Sequence, residues 1–150
     1  MARELYRQVD GEMHRDVAYA ASELAEALRL LHHPAQAETV LDEATTIEAS
    51  GVDVPACVRA KVLVERACLR LDAGKRDEAG ALAQRALKLL GPDGDDQSLA
   101  EAQLTLARAL SQRDRPRASV AAQQALAAFE KLRDPYGREA ALSLLALSSR

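Results

Sequence analysis

The sequence predicts an all-α chain, on three observations. Alanine and leucine dominate the 48% hydrophobic fraction, while aromatics make up 3% and Trp is absent; small and aliphatic side chains favour helix over strand. All five prolines fall at boundaries between periodic stretches, as expected of a residue that the first turn of a helix tolerates and its interior does not. Between the prolines, apolar residues recur at three- and four-residue spacing, the mark of amphipathic helices. At 150 residues the chain has the size of one ordinary domain, which buries roughly 70% of the surface its unfolded form exposes.

Taken in order, the elements are expected at about 13–32, 35–50, 55–73, 75–90, 96–112, 115–132 and 135–149. Pro34 follows a polar His32-His33 step and starts the second helix. Pro55 follows Ser50-Gly51-Val52-Asp53-Val54 and starts the third. The fourth ends at Gly91-Pro92-Asp93-Gly94-Asp95-Asp96, where Asp95 or Asp96 is placed to cap the fifth. Pro116 lies within Arg113-Asp114-Arg115-Pro116-Arg117 at the start of the sixth, and Pro135 follows Arg133-Asp134 at the start of the seventh.

An internal repeat is the most informative signal. Ala37 and Ala44, Ala79 and Ala86, and Ala118 and Ala125 are each seven residues apart, two helical turns, so each pair lies on one stripe of the second helix of a hairpin. Successive stripes stand 42 and 39 residues apart. On the first helix a small residue recurs at Ala25, Cys68, Ala107 and Ala146, in the settings Leu24-Ala25…Leu28, Ala67-Cys68…Leu71, Leu106-Ala107…Leu110 and Leu145-Ala146. The small residues are where two helix backbones approach closely, with Leu or Val filling the flanks. Each pair buries one face alone and needs the next pair for its other apolar face, so the units are expected to stack in one dimension.

These residues resemble the tetratricopeptide family, whose repeat carries a small residue on helix A, alanines seven apart on helix B, and often a proline near its end. The likeness makes residues 1–150 one tetratricopeptide-like domain: repeat one at about 18–51, repeat two at 61–92, repeat three at 100–133, and 136–149 as a half-repeat or capping helix. The resemblance implies a right-handed superhelical solenoid of antiparallel helix pairs, about seven helices in all. Arg133-Asp134-Pro135-Tyr136-Gly137-Arg138 after Phe129-Glu130-Lys131-Leu132 resembles junctions of the long-period, roughly 40-residue variety found in bacterial regulatory proteins. The chain departs from the pattern where aromatics are typical of helix A, at Ala21, Leu28, Val64, Leu71, Gln103 and Leu110, and the turn glycine occurs only as Gly74.

Chemistry is sparse. The three histidines are His14, His32 and His33, and no His, Cys, Asp or Glu set has metal-ligand spacing, so no metal or cofactor is expected. His14-Arg15-Asp16 spells a kinase triplet, but Ala21 stands where that loop needs Asn and no Gly-rich phosphate loop exists. Asp93-Gly94-Asp95-Asp96 lacks the alternate ligands and distal Glu of a calcium loop. Cys57 and Cys68, eleven residues apart, would lie about 16 Å apart along one helix, too far for a disulfide; Cys68 takes a close-packed position and Cys57 a first turn with no base beside it. No catalysis is expected. With 20 Lys+Arg against 23 Asp+Glu, the net charge disfavours nucleic acid and anionic membrane as partners. No signal peptide or membrane span is legible, so the cytoplasm is the expected compartment.

In tetratricopeptide arrays the helix A faces line a concave groove. Counting from the small residue of each repeat, the resemblance places there Tyr19, Ser22, Glu26 and Arg29; Val62, Glu65, Leu69 and Asp72; Glu101, Leu104, Arg108 and Ser111; and Ser143 and Leu147. Leucines mixed with both charge signs suit an amphipathic helix or extended peptide, with Leu69 and Leu104 as apolar contacts and Glu65 and Arg108 fixing register. The clamp for chaperone C-termini is absent, because it uses Asn and Lys on helix A and this chain has no Asn, with Lys61 the only lysine on a first helix. Arg113, Arg115 and Arg117 form a local positive point in one turn.

The expectation is therefore a non-catalytic interaction module that binds a protein or peptide in the groove. The alternative is a sensor or oligomerisation segment of a larger bacterial transcription or signalling regulator. Residues 2–9 resemble the close of a helix B near 127–132, so the array is expected to begin and end in mid-repeat. Leu142, Leu144, Leu145 and Leu147 make the closing helix too apolar to leave bare, which predicts a longer chain or a homodimer through that helix. The excess of Arg over Lys and the abundant Ala point to a GC-rich bacterial gene.

Overall fold

The computed structural model describes residues 15–51 and 53–148, which form seven α-helices and no strand. They are α1 (Arg15–Leu30), α2 (Pro34–Ala49), α3 (Ala56–Asp72), α4 (Arg76–Leu90), α5 (Asp96–Leu110), α6 (Arg115–Leu132) and α7 (Pro135–Ser148). Each predicted helix has its counterpart, with ends displaced by a few residues. The expected helical end at 2–9, and His14, lie outside the described residues.

The helix starts follow from local chemistry. Proline occupies the first turn of α2, α6 and α7. Asp95 caps α5 by accepting from the Ser98 N–H at 2.8 Å, and Asp114 caps α6 by accepting from the Arg117 N–H at 3.1 Å. Asp134 accepts from the N–H groups of Tyr136 and Gly137 at 3.0 and 3.1 Å. The acidic loop before α5 thus spends Asp95 on a cap. Each satisfies orphan donors of a helix N-terminus.

Three corners, α1–α2, α3–α4 and α6–α7, close in one geometry. His33 N–H bonds Leu28 O at 2.8 Å, Lys75 N–H bonds Arg70 O at 2.7 Å and Asp134 N–H bonds Phe129 O at 3.0 Å. The preceding residue is left-handed in every case: His32 at φ 62°, Gly74 at φ 75° and Arg133 at φ 55°. This is the helix-terminating motif that glycine serves best, and the chain uses glycine for it once in three.

Contacts run along the chain. Each helix packs on the next one; α1 also meets α3, α3 meets α5, and α5 meets α7. Among the described residues no helix touches one further away, and the second helices α2, α4 and α6 do not meet each other. The apolar core is accordingly divided. One cluster joins α1, α2 and α3 through Ala21, Ala25, Leu41 and Leu69; others link α3, α4 and α5, and then α5, α6 and α7.

The alanine stripes do what their spacing predicts. Ala37, Ala44, Ala79, Ala86, Ala118 and Ala125 are all buried, as are Ala25, Cys68 and Ala107 opposite them. Ala146 is exposed, because no second helix follows α7 among the described residues to close on it. Gly137 has its own packing reason: a Cβ there would drive into the ring of Phe129, which is buried.

Candidate functional site: the face of the first helices

The first helices α1, α3, α5 and α7 form one row, and their mutual contacts consume part of the face expected to bind. Ser22 is fully buried, its hydroxyl donating to the Tyr19 carbonyl at 2.7 Å. Val62 and Leu69 belong to the core shared with α1 and α2, and Leu104 to the core shared with α6 and α7. Leu69 and Leu104, expected as ligand contacts, are thus largely taken up in packing, and Leu69 keeps an edge on an open hollow. Periodicity within a single helix does not reveal a neighbour laid against its second face.

Glu65 is likewise buried, 5% exposed, between α1 and α3. Arg29 Nε donates to its Oε2 at 3.4 Å and the same guanidinium reaches Asp72 at 3.4 Å. Burial pushes the Glu65 carboxyl up to about 7 against the pull of Arg29, and Glu26 adds to the rise. Desolvation outweighs a single distant ion pair. Lys61 bridges α3 to Glu23 at 2.7 Å and to Glu26 at 3.6 Å; its burial opposes charge, yet the Glu23 bond and nearby carboxylates hold the ammonium above its usual range. Cys68 lies behind Glu65, 3.9 Å from the Thr105 hydroxyl, and burial with the Glu65 charge pushes its thiol up to about 11. That thiol is a packing group, not a nucleophile. Cys57 is exposed.

What remains open falls into three hollows. Tyr19, Lys61 and Glu101, with Cys57, line one of about 280 Å³ near the starts of α3 and α5. Arg29, Leu69 and Asp72, with Leu30 and His32, line a second of about 550 Å³. Asp72, Arg108, Ser111 and Leu147 line a third of about 500 Å³, to which Arg76 and Arg115 also contribute. The second and third share Asp72. Glu26 is engaged with Lys61, Ser143 is exposed and donates to the Glu139 carbonyl at 2.9 Å, and Val62 faces elsewhere.

A larger depression, about 1080 Å³, lies between α2 and α4, over Arg59, Val62, Arg66 and Arg70 of α3. Its three α3 arginines are each paired. Arg66 pairs with Asp42 at 2.8 Å and Glu38 at 3.5 Å, Arg70 with Glu38 at 2.5 Å and Glu78 at 3.1 Å, and Arg59 with Glu48 at 3.3 Å. Those pairs tie neighbouring pairs of helices together, while Arg85 and Lys88 of α4 add positive charge to the same depression.

The predicted arginine cluster disperses. Arg113 pairs with Asp77, and Arg117 with Asp114 at 3.5 Å. Arg115 instead joins Arg76 and Arg108, brought from two other elements. Among the described residues no three His, Cys, Asp or Glu side chains stand as a metal-holding group, and no helix is long and apolar enough to cross a membrane. Comparison with family models, curated proteins and solved structures finds no match to this chain.

Proposed function

We propose that this chain is a tetratricopeptide-like interaction module of the cytoplasm, a right-handed solenoid of helix pairs that binds a peptide or amphipathic helix along its first helices and catalyses nothing. The observation that carries the reading is the contact pattern: helices meet only their first and second neighbours. Such a row presents an extended face in place of a central cleft. The open part of that face carries Asp72, Arg108 and Leu147 exposed around one hollow with partly covered leucines, and Tyr19 exposed at another, a mixture suited to a polypeptide with an apolar stripe and charges beside it.

A charge reversal of exposed positions tests it. Glu65 is unsuitable, since a reversal there would bury an arginine against Arg29; Asp72 and Arg108 are exposed. Peptides selected on the wild-type chain from a random display library are expected to lose binding to the Asp72→Arg, Arg108→Glu variant, whose helical circular dichroism and melting should match wild type. Retention of those peptides by the folded variant places binding elsewhere and defeats the reading.

A second reading, self-association as part of a larger regulator, is favoured by α7. It leaves Tyr136 83%, Leu147 61% and Leu142 39% exposed, apolar surface of which a second copy of the helix would cover part.

A further inference from the structure

Of the three hollows on the first-helix face, the third is the one whose charge is not answered from within. Arg76 opens α4, Arg108 lies in the last turn of α5 and Arg115 opens α6, so three guanidiniums from three elements converge on one space of about 500 Å³. The single carboxylate there, Asp72, is already paired with Arg29 at 3.4 Å. Arg108 and Arg115 pair with no carboxylate among the described residues. This stands out in a chain of net charge -3, most of whose other described arginines are neutralised by neighbours.

One of the three guanidiniums is also held in place. Arg76 Nη1 donates to the Arg108 carbonyl at 2.8 Å and approaches the Ser111 hydroxyl at 3.5 Å, which fixes its guanidinium at the rim before any ligand arrives. Preorganised guanidinium forks match the planar geometry of a carboxylate. The opposite wall is apolar: Leu71 from α3 with Leu144 and Leu147 from α7. A nucleic-acid backbone has no use for three leucines, and no aromatic side chain lines the hollow for a base to stack on. An ion alone would leave the leucines uncovered.

We propose that this hollow is an anionic subsite of the peptide groove, taking a side-chain carboxylate of a partner polypeptide at Arg108 and Arg115, with an adjacent leucine-sized side chain against Leu71, Leu144 and Leu147. The inference rests on the groove reading above, and the shared Asp72 makes the subsite continuous with the hollow at Arg29 and Leu69, so a chain can run from one to the other.

The peptides selected above provide the test. They are expected to carry Asp or Glu within one helical turn of Leu, Ile or Met. A selected peptide, synthesised with both ends blocked, is compared with its Glu→Gln form by fluorescence anisotropy. On wild type the Gln form should bind on the order of tenfold more weakly, as for loss of a charge-assisted bond. On the Arg108→Gln, Arg115→Gln variant the two forms should bind within about threefold of each other. Equal binding of both forms to wild type, with both lost on Asp72→Arg, Arg108→Glu, overturns the subsite and leaves the groove standing; failure to select any peptide overturns both. Displacement of the peptide by inorganic phosphate or a short single-stranded oligonucleotide at micromolar concentration would assign the hollow to phosphate and overturn the carboxylate. The wild-type comparison of Glu and Gln peptides decides the matter even if the double variant does not fold.

Discussion

Glu65 shows how far one buried side chain can set the behaviour of the chain. Its carboxyl is pushed up to about 7 by burial, above the ordinary carboxyl range, because Arg29 at 3.4 Å repays only part of the lost hydration. The folded state therefore holds the Glu65 proton more tightly than the unfolded state. The stability it contributes is full in acid and declines as pH rises from the ordinary carboxyl value to about 7, after which it is constant. Melting followed from about pH 4.5 to 8 should show wild type losing on the order of 2 kcal/mol relative to Glu65→Gln across that window; parallel curves would show that the carboxyl is not desolvated. The sequence placed Glu65 on the correct helix and in the correct row, but as a charge facing a ligand. Its burial was not legible because it depends on α1 lying against α3, a contact between residues 36 apart. Leu69 and Leu104 are largely covered for the same reason, whereas Asp72 and Arg108, each about one turn nearer the helix ends, are exposed.

Among the elements, the α6–α7 corner concentrates the departures from simple patterning. Arg133 takes a left-handed conformation at φ 55° that costs a side chain about 1 kcal/mol relative to glycine. Four residues on, Gly137 gives the buried Phe129 ring the room that a methyl group would occupy. The two substitutions should act in opposite directions. Arg133→Gly is expected to raise stability by about 0.5–1 kcal/mol, and Gly137→Ala to lower it by about 1–2 kcal/mol, overpacking exceeding the gain in helix propensity; urea midpoints would reveal either sign. Proline placement and the alanine stripes made the helices legible in order, since both signals act within one or two turns. The corners were less so. A turn that lacks glycine shows no mark in the sequence when His32 or Arg133 fills the left-handed position, and the role of Gly137 becomes clear only once α7 is seen against Phe129.

On the scale of the whole molecule, the seven-residue alanine spacing and its recurrence about every forty residues carried the neighbour-to-neighbour stacking, and the contacts follow that order. The convergence of Arg76, Arg108 and Arg115 was not legible, because it joins three elements separated by full helices; in the sequence the conspicuous group was Arg113, Arg115 and Arg117, two of which are paired to aspartates. The exposed face of α7 bears on assembly. If a second copy covers it, light scattering should give a mass that rises with concentration to twice that of the chain, and Leu142→Glu with Leu147→Glu should return it to one chain; a single-chain mass for wild type at all concentrations removes that reading. A last consequence follows from the second helices α2, α4 and α6, which share no contact with one another while the first helices touch along their row. The molecule is built like a leaf spring with one continuous side and one slotted side. Flexing that widens or narrows the slots breaks no contact between second helices and loads the salt links across α3, so the compliance of the molecule is directional.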